Sequence, residues 1–222
     1  MSATGPGLQA PAGVAMVHEV GHPLVRHKLG LLRDVHTDTE MFRRLVNELT
    51  LLLTYEATKD MSLEEIEVET PLERTTAQRI PGKKVAVCPI LRAGMGMLDG
   101  VLSLVPVARV GFIGLYRIEE TLRPVEYYVK LPADIAEREV LLLDPMLATG
   151  NSTVHAVDVL KRAGASQISL ISLIAAPEGV ERLEGAHPDV QAFVAAIDSH
   201  LNEKGYIVPG LGDAGDRLYG TK

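Results

Sequence analysis

The sequence predicts an α/β fold: a mostly parallel central sheet flanked by helices on both sides. Two observations carry this. Apolar runs of strand length at residues 85–91, 107–116, 140–143, 168–175 and 190–197 are near-continuous in Val, Ile and Leu rather than alternating, as strands covered on both faces are. Helical stretches lie between several of them, so strand and helix alternate along the chain, the pattern of parallel crossovers. With 222 residues, 46% of them hydrophobic and 23% charged, the chain suits one compact domain and excludes disorder.

Residues 1–17 carry no charge and are rich in Gly, Ala and Pro, which predicts a flexible leader ahead of a single domain spanning 18–222. Thr37 with Glu40 three residues on reads as a capping box, and Phe42, Leu45, Val46, Leu49, Leu52 and Leu53 follow at helical spacing. A long amphipathic N-terminal helix is expected there. The strand runs begin after a polar stretch, and residues 153–163 read as a helix stopped by Gly164. Residues 117–139 depart from the pattern: Pro124 and Pro132 flank the β-favouring Val125, Tyr127, Tyr128 and Val129, predicting an antiparallel β arm.

Composition also bounds function. Cys88 is the single cysteine and no secretory signal precedes the domain, so a reducing, cytoplasmic setting is expected. The longest apolar candidate, residues 168–176, is interrupted by Ser169 and Ser172 and falls short of the ~18 residues a membrane span needs. A net charge of -7 repels nucleic acid, so any polyanionic ligand must be held by a few local groups.

In open parallel sheets ligands bind beyond the carboxyl ends of the strands, and three such segments stand out. The first is Asp144-Pro145-Met146-Leu147-Ala148-Thr149-Gly150-Asn151-Ser152-Thr153, a strand ending in an acid, then a small-residue loop, then a helix. Such a loop turns backbone amides into one concavity beside a helix N-terminus, which suits a phosphate monoester. Thr149, Ser152 and Thr153 add hydroxyl donors. There is no Gly-Lys-Ser/Thr, so this is not a nucleoside-triphosphate loop. The second, Cys88-Pro-Ile-Leu-Arg92-Ala-Gly94-Met-Gly96, offers a guanidinium fork for pyrophosphate oxygens and glycines that allow close approach to a ligand. Its glycines at 94, 96 and 100 miss the dinucleotide fingerprint by one residue. The third, residues 202–217, reads as a shaped loop with glycines at 205, 210, 212 and 215.

Asp144-Pro-Met-Leu-Ala-Thr-Gly150 resembles the phosphoribosyl-diphosphate (PRPP) motif of type I phosphoribosyltransferases, in the version of the uracil phosphoribosyltransferase family, where Asp-Pro replaces two adjacent acids. The likeness runs from the His22-Pro23-Leu24-Val25-Arg26-His27-Lys28-Leu29 stretch to the terminal Gly220-Thr221-Lys222. It includes Pro89-Ile-Leu-Arg-Ala-Gly94, Tyr116-Arg117-Ile118-Glu119-Glu120-Thr121 and Gly205-Tyr-Ile-Val-Pro-Gly-Leu-Gly-Asp-Ala-Gly-Asp216. The resemblance implies a type I phosphoribosyltransferase-like fold and a transferase joining uracil to the phosphoribosyl group of PRPP. It implies PRPP contacts at Arg92, Arg117, Asp144, Pro145, Met146, Leu147, Ala148, Thr149, Gly150, Asn151, Ser152 and Asp213, with Arg92, Asp144 and Asp213 catalytic. Uracil is then read by Ile207, Gly212, Asp213 and Ala214, largely through backbone groups. It further implies Mg²⁺ held mainly through PRPP rather than by protein ligands, a homodimer or homotetramer, and GTP as allosteric activator. Asn151 departs from the family's usual glycine, and its tolerance of left-handed backbone angles is expected to preserve the loop. A pyrimidine-responsive RNA-binding regulator of the same fold is the alternative; low basicity and the Asp144-Pro145 pair speak against it.

Two motif matches carry nothing. His18-Glu19-Val20-Gly21-His22 fits the H-E-x-x-H zinc pattern, but Pro23 drives its neighbour out of the helical region that motif requires. Asn151-Ser-Thr matches a glycosylation acceptor without a secretory signal.

Overall fold

The computed structural model describes residues 17–81, 84–117 and 124–221. In chain order they form β1 (Val17–Glu19), α1 (Pro23–Arg33), α2 (Thr39–Ala57), β2 (Glu64–Glu69), β3 (Arg74–Arg79), β4 (Val85–Leu91), α3 (Leu98–Leu104), β5 (Arg109–Val110) and β6 (Phe112–Arg117). There follow β7 (Pro124–Lys130), β8 (Glu139–Leu143), β9 (Met146–Leu147), α4 (Asn151–Arg162), β10 (Gln167–Ala175), α5 (Pro177–Ala186), β11 (Gln191–Ile197), β12 (His200–Leu201), β13 (Ile207–Val208) and α6 (Ala214–Tyr219).

The main sheet runs β1-β11-β10-β8-β4-β6-β7, with β5 beside β4 and β9 beside β10. Every pairing in it is parallel except β6 with β7. The continuous apolar runs have a simple cause. Along β8, Leu141 and Leu143 enter one core while Val140 and Leu142 enter the other; along β4, Val85 and Val87 part from Ala86, Cys88 and Ile90 in the same way. Period-two alternation is present, but both faces are dry. The first core is filled by Phe42, Leu45, Val46, Leu49 and Leu53 of α2, and the second by Val154, Val157 and Leu160 of α4. Burying one such Leu contributes about 2 kcal/mol.

Several expectations need correction. The N-cap of α2 is Asp38, whose Oδ1 accepts from the Met41 amide at 2.8 Å. Thr37 instead donates its hydroxyl to Leu31 O at 2.6 Å, closing the end of α1. The run 107–116 is split at Gly111 into β5 and β6, and Gly111 itself passes so close to β4 that a Cβ there would lie 2.9 Å from Cys88 Sγ. The expected leader lies outside the described residues except for Val17, which opens β1. The expected arm reduces to β6 and β7; residues 118–123 lie outside the described residues, and 135–137 form a 3-10 turn leading back to the sheet. Pro23, which defeats the zinc pattern, sits in the first turn of α1, with His22 Nδ1 capping the Leu24 amide.

Candidate active site

β4 and β8 lie side by side with Pro89 opposite Leu143, so the residues leaving their carboxyl ends, Arg92 and Asp144, leave together. From β4 the chain departs toward β6 and from β8 toward β10, in opposite directions. A crevice opens at such a reversal of strand order.

Beyond β8, the Asp144 amide donates to Ile171 O, and its Oδ1 accepts from the Met146 amide at 3.3 Å. The short β9 then continues beside β10, placing Leu147 wholly in the core with its carbonyl bound to the Ala176 amide. Its side chain therefore does not face the cleft. Gly150 turns the chain at φ +75° and stands at the N-cap of α4 without a capping side chain, so the positive end of that helix borders the loop. Asn151 is already helical, so no left-handed tolerance is asked of it; Gly150 takes that conformation. Thr149 Oγ1 is buried with no hydrogen-bond partner among the described residues. Ser152 and Thr153 are buried in the first turn of α4. α5 supports the loop from behind, since a Cβ at Gly179 would collide with the carbonyls of Leu147 and Ala148.

Beyond β4, Arg92 is exposed and leads into a 3-10 turn, Ala93–Met97. Its carbonyl accepts from Tyr219 Oη at 2.8 Å. Burial pushes the Tyr219 hydroxyl above the ordinary phenol range, against the pull of Arg92 and Arg43, so it keeps the proton it donates. Gly94 and Gly96 have a different reason from ligand approach. A Cβ at Gly94 would strike Leu143 O, and one at Gly96 would lie 2.7 Å from the Leu218 side chain. Both glycines let the turn press on its own scaffold.

The C-terminal segment is ordered: β12 and β13 form a small antiparallel pair, and Asp213 caps α6 by accepting the Asp216 amide at 2.9 Å. Ile207 is buried in β13, Ala214 is buried at the start of α6, and Gly212 lies on the surface with φ +81°.

These segments enclose a cleft of about 510 Å³. Of the residues singled out in the sequence, Arg92, Asp144, Pro145, Met146, Ala148, Asp213 and Ala214 line it, whereas Leu147, Thr149, Gly150, Asn151, Ser152, Ile207 and Gly212 are not part of the lining. Arg117 ends β6, and its side chain lies outside what is described. The sequence reading did not single out Tyr127, Lys204 and Tyr206 as site residues, yet they also face the cleft, together with Tyr116. Tyr116 and Tyr127 are a tilted ring pair, centroids 6.3 Å apart on adjacent arm strands. Cross-strand pairing brings them together, which no local pattern announces.

A sequence profile described as uracil phosphoribosyltransferase matches residues 19–221. The chain belongs to the uracil phosphoribosyltransferase family. Uracil phosphoribosyltransferases of Streptococcus sanguinis (strain SK36) and Streptococcus pyogenes serotype M5 (strain Manfredo) are 60% and 59% identical to it, each over 91% of this chain and 97% of the relative. The AQ2163 protein of Aquifex aeolicus has the same architecture, with a TM-score of 0.89 at 43% identity over 92% of this chain and 98% of that one. A hypoxanthine phosphoribosyltransferase from Staphylococcus aureus aligns at TM-score 0.51 and 14% identity over 82% of this chain and 84% of its own, a likeness of fold alone. The architecture of this uracil phosphoribosyltransferase family member is thus type I phosphoribosyltransferase-like. No described helix is long and apolar enough to cross a membrane.

Proposed function

We propose that the protein transfers the phosphoribosyl group of PRPP to N1 of uracil, releasing diphosphate and forming uridine monophosphate, a pyrimidine salvage step. The supporting observation is convergence: Arg92, Asp144 and Asp213, from three distant segments, face one cleft beside the uncapped N-terminus of α4. In the reaction the bond from ribose C1′ to the diphosphate oxygen breaks, the C1′–N1 bond forms, and uracil N1 gives up its proton. Positive charge develops on the ribose ring as diphosphate leaves.

Each segment has a part suited to this. The amides of residues 148–152 hold the 5′-phosphate, and the buried Thr149 hydroxyl has a donor to spare for it. Arg92, with Arg117 by resemblance, takes the diphosphate oxygens. Asp144 orients the ribose hydroxyls, and its carboxylate favours the developing cation. Asp213 helps place N1, while backbone groups at Ile207, Gly212 and Ala214 match the uracil edge; cytosine would leave buried groups unpaired. Among the described residues no three His, Cys, Asp or Glu side chains cluster as a metal site. That fits an ion held mainly through PRPP, with the carboxylates of Asp144 and Asp213 on the cleft wall as the hard oxygen groups that would stand near it. Mg²⁺ bound in that way supplies neutralisation of the leaving diphosphate.

On the single cysteine and the lack of a secretory signal we assign the protein to the cytoplasm, and on the resemblance we assign it a homodimer or homotetramer with GTP as activator. Family membership and the net charge do not favour the RNA-binding alternative. The test is product formation from PRPP and Mg²⁺ with uracil, cytosine, orotate, hypoxanthine or adenine offered separately, with and without GTP. Uridine monophosphate from uracil alone is expected. Turnover of another base would overturn the reading of residues 205–216, and turnover of none would overturn the activity.

A further inference from the structure

The segment joining β13 to α6 contains no helix or strand of its own, so its shape is imposed from outside. Arg33, the last residue of α1, does much of this. Its Nη1 donates to Asp198 Oδ2 and to Gly210 O, both at 2.7 Å, and its Nη2 donates to Asp198 Oδ1 at 2.5 Å. Asp198 Oδ2 in turn accepts the Gly210 amide at 2.9 Å, while the Asp198 amide is fixed to Ala175 O at the end of β10. Both backbone polar groups of Gly210 are therefore held by one ion pair. Gly210 sits at φ +65°, where a Cβ would collide with Ile207 O, so this contact is open to glycine alone. The Asp198 side chain is 5% exposed and that of Arg33 22% exposed, and neither lines the cleft. On the far side, Arg217 donates to Leu211 O, Leu32 O and Asp34 O, with its guanidinium 4.3 Å above the Phe42 ring.

We propose that Arg33 and Asp198 are positioning residues for base recognition, anchoring Gly210 from outside the cleft and so setting the backbone that runs on to the proposed uracil contacts at Gly212, Asp213 and Ala214. The inference rests on the proposed reading of that segment as the uracil loop. A loop that reads a base with peptide groups has no side-chain rotamers to adjust, so its register must be fixed by its supports. Because the pair engages both the amide and the carbonyl of Gly210, it fixes the orientation of that peptide as well as its position. A bidentate fork also specifies orientation, which a point charge does not.

Arg33→Lys keeps the charge and loses the fork; Asp198→Asn keeps the shape and loses the charge. Steady-state kinetics of the full chain are expected to show the uracil KM raised at least tenfold in both, with the PRPP KM within twofold of wild type. The preference for uracil over cytosine falls in the same variants, and circular dichroism shows them folded. Equal rises in both KM values, or unchanged kinetics with lowered thermal stability, would overturn the inference and leave the pair a structural brace. Gly212→Val, within the loop, is measured in parallel. If it raises the PRPP KM and spares that of uracil, the loop reading itself fails. If it raises the uracil KM while Arg33→Lys and Asp198→Asn do not, only the positioning role fails.

Discussion

Arg92 and Asp144 illustrate how little separates scaffold from chemistry at the level of single residues. Each stands just past the end of a central strand, and each also serves the fold: Arg92 through its carbonyl to Tyr219, Asp144 through its carboxylate to the Met146 amide. Arg92→Ala retains the carbonyl, so its loss should fall on kcat/KM, by at least tenfold or ~1.4 kcal/mol of transition-state stabilisation, with thermal stability near wild type. Asp144→Asn is expected to lose as much; wild-type rates in either variant would refute its assigned role. Cys88 is the opposite case, a residue with chemistry in principle and none in practice. Burial under the sheet pushes its thiol from 9.0 up to about 12. The native protein should resist a thiol reagent at pH 8 and react once unfolded. Since the unfolded thiol ionises near 9 and the folded one does not, this group's contribution to stability is complete below pH 9 and falls between pH 9 and 12, by at most about 1.4 kcal/mol per unit. Denaturant titrations should show the stability advantage of wild type over Cys88→Ala constant below pH 9 and shrinking over that window.

Among the elements, the turn after β4 gives the sharpest contrast. A methyl at Gly94 meets the Leu143 carbonyl, which cannot move without shifting β8 and Asp144 with it; a methyl at Gly96 meets only the flexible tip of Leu218. Gly94→Ala should therefore lower both the melting temperature and turnover, and Gly96→Ala should do less to either. Equal effects would show that the turn is not seated on β8. The same turn shows where sequence reading works. The central strands, α2 and α4 were legible because burial on both faces, or on one helical stripe, leaves its period in the residues. α1 was not, because only Val25, Leu29 and Leu32 of its eleven residues are buried, and charged residues dilute that stripe. The hairpin of β2 and β3 hides for a similar reason: Ile66 and Val68 alternate with exposed glutamates in a stretch that reads simply as polar. α5 does carry a start signal in the sequence, Pro177 in its first turn. In the cleft, the strand-end segments were legible, whereas Tyr127 comes to it across the β6–β7 pair, and nothing local to the 202–217 loop marks Lys204 as the side chain that faces it.

At the scale of the whole molecule, the two cores share one sheet. Neighbouring Leu142 and Leu143 are both fully buried, yet they belong to opposite cores. Truncating either to Ala should cost about 2–5 kcal/mol. Because the sheet is common to both, residues 18–222 should unfold as one unit, with near- and far-ultraviolet circular dichroism moving together in wild type and both variants. Separate transitions would divide the domain. The order of the chain has one more consequence. All strands of the main sheet, and with them the Arg92 turn and the Asp144 loop, are complete by Ile197; the base loop and α6 come afterwards. On the proposed reading, the Arg92 turn and the Asp144 loop that would hold the sugar phosphate precede the loop that would read the base, and Asp213 is the PRPP contact carried by that later loop. In evolutionary terms this makes the nucleobase loop an exchangeable cassette: a single recombination near residue 198 replaces it as a block, provided the incoming stretch brings its own counterpart of Asp213 to the cleft.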